Sequence, residues 1–347
     1  MSSFTLEMLG RFSRMRALAW HENVLYASQG YTLLSTEIGS SPIAWREVAR
    51  YNPPWWRKLT CGTSLTFRLM RDGFHALAIL PSGSLVAAVP GAIITLAPRE
   101  RVFRVTHRIL RGTRPLHICV VPDGGAYFGE YFDNSGREEV HIYASKDEGA
   151  SWEVAYTFPK GAIRHVHNVI YDQWADCLWI LTGDDGDECR ILRANCDLTN
   201  VKTVLSGNQQ ARAVAAVPTS QGLYFSSDTP FETNHVYCLN RNGKLSAVAE
   251  ISSSSIYGCR AEGVLFFSTM VEPSKVNAEN SACLYGSADG SAWQRVLTWE
   301  KDPWPLGLFQ YGNALLPDGD NATNVLAVST VAVSPGDLQT SLWRVVR

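Results

Sequence analysis

The sequence predicts an all-β fold, a seven-bladed β-propeller whose ring is closed by an N-terminal strand that completes the last blade. Three observations predict it. Short apolar runs rich in Val, Ile, Tyr and Trp alternate with turn signals such as "PSG", "PDGG", "NRNG" and "PDGD", while few windows carry helical periodicity. These runs recur with a period of roughly 40–60 residues, the length of a four-stranded blade. The last repeat runs out after three strands at "SLWRVVR", and the strand-like "FTLEMLGRF" at the other end of the chain has no blade of its own. Pairing residues 4–12 with that last blade hides two sheet edges at once.

Laid over one another, the first strands of the repeats read "RMRALAW", "GFHALAI", "RPLHICVV", "IRHVHNVI", "QQARAVAAV", "SSIYGCRA" and "FQYGNALL". Each is followed, after a short turn, by a second apolar strand, from "NVLYASQG" through "CLWILTGDD" to "NVLAVSTVAV". The blades therefore fall near residues 13–51, 65–110, 113–158, 162–206, 210–251, 254–299 and 307–347, so that residues 1–347 form one propeller domain.

Composition narrows the function. The 31 basic and 33 acidic side chains nearly balance, which provides no broad field for nucleic acid or an anionic membrane. The N-terminus has no apolar core of the signal-peptide kind, and no apolar run approaches the length of a spanning helix. A cytoplasmic protein is expected. The 8 cysteines are scattered without a CxxC pair, which favours reduced thiols over a disulfide framework.

The overlay has a chemical consequence. One equivalent position of the seven inner strands is occupied by Arg16, His75, His117, His167, Arg212, Tyr257 and Tyr311. Inner strands surround the propeller channel, so one residue per blade at matching height forms a ring. The second strand is antiparallel to the first, and its far end brings Glu130, Asp184, Asp185 and Asp228 back to the same face. Arg114 and Arg164, three residues before their ring histidines, are expected in loops just above. Polar channel linings are common, but so many titratable groups on one face carry a desolvation cost that packing alone would avoid.

"SKDEGASW", Ser145 to Trp152, fits Ser-x-Asp-x-Gly-x-x-Trp, and "SADGSAW", Ser287 to Trp293, is one residue shorter. Here Asp147 and Asp289 are expected to bond turn amides while the Trp plugs the blade. By these motifs the chain resembles the Asp-box, or BNR-repeat, propellers found among sialidases and other carbohydrate-active proteins. In channel-mouth composition it also resembles polysaccharide-lyase families built as seven-bladed propellers, including those that cut rhamnose–glucuronate linkages.

The resemblance implies a carbohydrate-active enzyme with an acidic oligosaccharide or polysaccharide as partner. β-Elimination on a uronic acid needs a cation on the carboxylate, a base and an acid. Arg212 and Arg164 would hold the carboxylate, with Arg16 and Tyr311 as further substrate contacts, while His117, His167 and Tyr257 would move protons. The alternatives are a glycoside hydrolase using pairs among Glu130, Asp184, Asp185 and Asp228, and a glycan- or protein-binding propeller without chemistry. No "RIP" motif supports a sialidase. Either no cofactor is required, or His75, His117 and His167 hold a divalent metal such as Mn, Zn or Ca. The aromatic loops "YNPPWW" and "KDPWP" and the acidic "GDDGDE" complete the candidates, the last as a loop over the site.

Overall fold

The computed structural model describes residues 4–39 and 42–347. Seven antiparallel sheets surround an axis in chain order, and the inner strand of each follows from a quoted repeat: Arg16–Glu22, Ala76–Ile79, Cys119–Val120, His165–Asp172, Ala213–Thr219, Ser255–Ala261 and Asn313–Leu315. The expected closure holds. Thr5–Ser13 pairs antiparallel with Gln339–Val346 from Thr5 opposite Val346 to Ser13 opposite Gln339, and so becomes the outer strand of blade 7.

The core lies between blades rather than within one. Each face of a blade presents alternate apolar residues to the next blade, because successive side chains of a strand point to opposite faces. Tyr127 and Ile142 of blade 3 meet Val169 and Ile180 of blade 4; Leu223 and Phe225 of blade 5 meet Trp179 and Leu181 of blade 4. Phe4, just before the closing strand, packs edge-on against Phe266 of blade 6 with ring centroids 5.6 Å apart. The two Asp-Gly turns have the bonding their sequences predict. Asp147 accepts from Ser151 N and Asp289 from Ser291 N and Ala292 N, at 2.9, 2.8 and 2.8 Å, and Trp152 rests against Phe128.

Two departures matter for the site. The "PDGD" segment, expected as a turn, is a strand: Asp318–Asn321 runs parallel to Arg16–Glu22 on the axial side of blade 1 and touches the inner strands of blades 2 and 6. Gly319 makes this approach feasible. Its φ is +88°, and a Cβ would stand 2.1 Å from the Trp20 carbonyl oxygen. The strand lies beside Ala19 to Glu22, while Arg16 stands at the opposite end of the same inner strand. The strand therefore lines one side of the channel at the level opposite Arg16.

The second departure is helical. Residues 65–70, expected within blade 2, belong to a helix, Ser64–Met70, preceded by Trp55–Thr60. Pro53 and Pro54 end the last strand of blade 1, and Thr63 Oγ1 caps the second helix by accepting from Thr66 N. Arg68 fastens the pair to the ring: its guanidinium, 4% exposed, is ion-paired with Asp302 and also donates to the Phe309 carbonyl. Trp55, from the aromatic "YNPPWW" segment, is 74% exposed.

Removing one partner of a buried pair leaves a desolvated charge behind. Arg68→Leu is therefore expected to lower unfolding free energy in urea by about 3 kcal/mol, with Lys301, also bonded to Asp302, limiting the loss. An unchanged midpoint would show that the helical pair is not anchored through this residue.

Candidate functional site

The inner strands arrive at the mouth with a shared irregularity. In blades 1, 4, 5 and 6 the register between first and second strand slips close to the ring position, at Ala17/Ala19, Val166/Asn168, Ala213/Ala216 and Ser255/Tyr257. A bulge of this kind bends the strand and re-aims its side chains. The ring residues are thus drawn into two groups on one face.

The first group spans blades 1, 2, 3 and 6. His75 Nε2 lies 2.7 Å from the Arg71 carbonyl oxygen and so must carry the proton, which leaves Nδ1 to accept from Arg16 Nη1 at 3.2 Å. Burial, followed by the nearby charges of Arg114 and Arg16, holds the His75 pKa well below the usual range, so the ring is neutral. Arg16 Nη2 donates to the His75 carbonyl at 2.9 Å and to Tyr257 Oη at 3.4 Å. The Tyr257 ring centroid is 6.1 Å from that of His117. On His117, Nδ1 bonds Asp318 Oδ2 at 2.9 Å. A carboxylate at Nδ1 fixes the tautomer and leaves the Nε2 lone pair facing away from it.

Around this group stand Arg16, Arg71 and Arg114, and among the described residues no carboxylate lies within ion-pair distance of any of them. Burial, and then the charges of Arg16 and Arg71, pull Arg114 down to about 10. Arg16 and His75 also form one wall of a cavity of about 460 Å3 beneath the helical pair. Arg14, Lys58 and Arg71 add charge to it, and Tyr31, Tyr51, Phe67 and Phe74 an apolar body.

The second group, from blades 4 and 5, centres on Asp184. His167 Nε2 and Arg212 Nη2 approach its Oδ1 at 3.2 and 3.3 Å, and His165 Nε2 and Arg164 Nη1 approach its Oδ2 at 3.4 and 3.5 Å. Against the cost of burial, these histidine bonds hold the carboxyl far below the ordinary carboxylate range. His165, His167 and Asp184 are the described residues grouped closely enough to offer three ligand atoms to one ion. Tyr131 lies over His165 with centroids 4.3 Å apart, and burial followed by the charges of Asp184 and Asp228 pushes its phenol up to about 12. It links the two groups, since Arg114 and Asp184 both act on it.

Several expectations change. His75, His117 and His167 do not form a metal set: both nitrogens of His75 are occupied and His117 faces Asp318, while His167 joins His165. Glu130 is not in the cup, because its carboxylate takes Arg111 and the His141 amide in the groove between blades 2 and 3. The next residue, Tyr131, occupies the expected place. Tyr311 precedes the inner strand of blade 7, which begins only at Asn313, and is 39% exposed with no ring contact to the others. Asp185, above the rim, pairs with Arg137 at 2.9 Å. Arg164 and Arg212 reach the mouth, but their charge is met by Asp133 and Asp184 for the first and by Asp184 and Asp228 for the second.

Sequence reasoning gave no site role to His165, Tyr131 or Asp318. The "HVH" spacing was a usable signal for His165, since residues two apart on a strand share a face; Asp318 gave none, being hidden in a turn-like "PDGD".

No protein-family model matches the chain, and no curated protein matches its sequence. Solved structures do. A chain of the mitotic checkpoint complex is similar with a TM-score of 0.61 and 11% identity, over 98% of this chain and 95% of that one. A chain of a nidogen/laminin complex is similar with a TM-score of 0.51 and 11% identity, over 86% of this chain and 98% of that one. What is shared is the propeller. Among the described residues no helix is long and apolar enough to cross a membrane, and all eight cysteines are free thiols.

Asp228 gives the site a measurable pH signature. Its carboxyl is pushed up to about 7, chiefly by burial, with Arg212 opposing and Glu272 and Asp184 adding to the rise. Its folded pKa exceeds the unfolded value of about 4, so the folded state holds the extra proton in between. Stability from this group is full below pH 4 and is lost as pH rises toward 7. Relative to wild type, Asp228→Asn is expected to gain about 2–3 kcal/mol between pH 5 and pH 8, read by urea unfolding at both values. Parallel curves would show an ordinary carboxylate.

Proposed function

We propose that the protein is a carbohydrate-active enzyme that binds a uronic-acid-containing oligosaccharide in the cup and cleaves it by β-elimination. The observation that carries this reading is the set of unpaired guanidiniums of Arg16, Arg71 and Arg114 beside a carboxylate-oriented imidazole and a phenol. Like charges crowded at the mouth call for an anionic ligand, and a guanidinium binds carboxylate in two-pronged fashion. Arg16 and Arg114 therefore take the role first expected of Arg212 and Arg164, whose charge is already met.

The chemistry divides among neighbours. Neutralising the uronate carboxylate acidifies the adjacent C5 proton. His117 Nε2 removes it, Asp318 steadies the imidazolium that forms, and the electron pair becomes the C4–C5 double bond as the C4–O bond breaks. Tyr257 gives its phenolic proton to the leaving oxygen, and Arg16 at 3.4 Å stabilises the phenolate until solvent exchange resets both groups. The hydrolase alternative has less support, because Glu130 and Asp185 are held by Arg111 and Arg137, away from any acid–base pair.

A second reading, a docking propeller without chemistry, draws on the exposed Trp55 and Leu59 of the helical pair and on the fact that both similar solved chains come from macromolecular complexes.

Incubation with glucuronate- and galacturonate-containing oligosaccharides should produce the ultraviolet absorbance of an unsaturated uronate. Arg16→Ala, His117→Ala and Asp318→Asn should each reduce kcat/KM, the first two by roughly 100-fold or more. Binding without any unsaturated product would favour the docking reading; neither binding nor product would remove the acidic-glycan reading.

A further inference from the structure

The environment of His165 and His167 poses a valence problem that their neighbours do not solve. His165 Nδ1 lies 3.1 Å from the Phe132 carbonyl oxygen, and His167 Nδ1 lies 2.8 Å from the Ala213 carbonyl oxygen. A carbonyl oxygen can only accept, so both Nδ1 atoms carry hydrogen. Unless a ring takes a second proton, as a donated Nε2–H bond to Asp184 would require, both Nε2 atoms then carry lone pairs. Yet these two atoms point at each other across 2.9 Å and toward the oxygens of Asp184 at 3.2 and 3.4 Å. Two nitrogens and two carboxylate oxygens converge, with both imidazoles buried. Only an electrophile between them makes the arrangement favourable.

We infer that His165, His167 and Asp184 form a binding site for a divalent transition-metal ion. The distances fit. With metal–ligand bonds of about 2.0–2.1 Å, the ligand atoms of one ion are separated by roughly 2.9 Å at right angles and roughly 3.3 Å at tetrahedral angles. The 2.9 Å between the two Nε2 atoms and the 3.2 Å from His167 Nε2 to Asp184 Oδ1 fall in that range, and His165 Nε2 stands 3.4 Å from the other oxygen, Oδ2.

The outer contacts also suit a metal. Each ligating imidazole donates its other N–H to a backbone carbonyl, the arrangement that fixes ring orientation and raises ligand basicity. Arg212 and Arg164 stand 3.3 and 3.5 Å from the Asp184 oxygens and balance its charge. Two imidazoles and one carboxylate select zinc, iron, cobalt or nickel over magnesium or calcium. Tyr131 covers one side and Gly183, whose Cβ position is 3.3 Å from His167 Cε1, leaves the other narrow. This inference does not depend on the elimination reading, whose base, acid and carboxylate clamp belong to the other group of residues.

A rival electrophile is a single proton shared by the two rings, and titration separates the cases. The chelator-treated 347-residue chain is titrated with Co2+ and, separately, Zn2+, following visible d–d absorption and calorimetric stoichiometry. One ion per chain is expected, with Co2+ bands of nitrogen/oxygen ligation. His167→Gln, His165→Gln and Asp184→Asn should each weaken the ion by roughly 100-fold or more, while His117→Gln and His75→Gln leave it unchanged.

Circular dichroism and thermal unfolding of each variant identify any that fails to fold, and the remaining two ligand variants then carry the result. No stoichiometric binding by wild type, or binding indifferent to all folded ligand variants, would overturn the site. Loss of metal binding in His117→Gln would equally overturn the ligand assignment. Oligosaccharide turnover in the same samples is recorded separately, so a metal result and an elimination result stand or fall apart.

Discussion

The structure depends on one set of hydrogen bonds, those between Thr5–Ser13 and Gln339–Val346. A propeller has no single core; its apolar layers form only where one blade meets the next. Without the closing strand, blade 7 would keep an open edge, and Phe4 would leave its place against Phe266 and Leu284 at the junction of blades 6 and 7. Closure also fixes the number of blades. The number of blades fixes how near the inner strands come at the mouth, and so which side chains meet.

Within the mouth, electrostatics divide the work. Arg164 and Arg212 are surrounded by Asp133, Asp184 and Asp228, forming a nearly balanced network that organises His165 and His167. Arg16, Arg71 and Arg114 have carbonyls, a neutral imidazole and phenols as neighbours. Two sets of arginines in one cup thus have opposite meanings: the first is satisfied by the protein, and the second is held ready for something else. Asp228 lies at the balanced end yet is protonated more readily than a surface carboxyl, because burial outweighs its guanidinium partner.

Much of this was legible in the chain. Repeats such as "GFHALAI" and "IRHVHNVI" encode inner strands by apolar alternation, and overlaying them brings Arg16, His75, His117 and Tyr257 to one level. What was not legible depended on single-residue geometry or on long-range pairing. Alternation could not decide between Glu130 and Tyr131, because the first strands of blade 3 are only a few residues long. Tyr311 was placed by analogy, whereas blade 7 starts its inner strand later. "PDGD" has every local mark of a turn, and only the axial side of blade 1, supplied by residues some 300 positions earlier, converts it to a strand. The helical pair Trp55–Met70 is short, and its amphipathic pattern is broken by Gly62 and Thr63 between the helices.

The strand Asp318–Asn321 has a further consequence. By lying against the inner strands of blades 1, 2 and 6 it crowds one side of the axis and seats Asp318 against His117. The imidazole is thus steadied by a carboxylate from a segment that belongs to no blade's regular meander, so the proton chemistry of the cup and the packing of the axis are set by the same four residues.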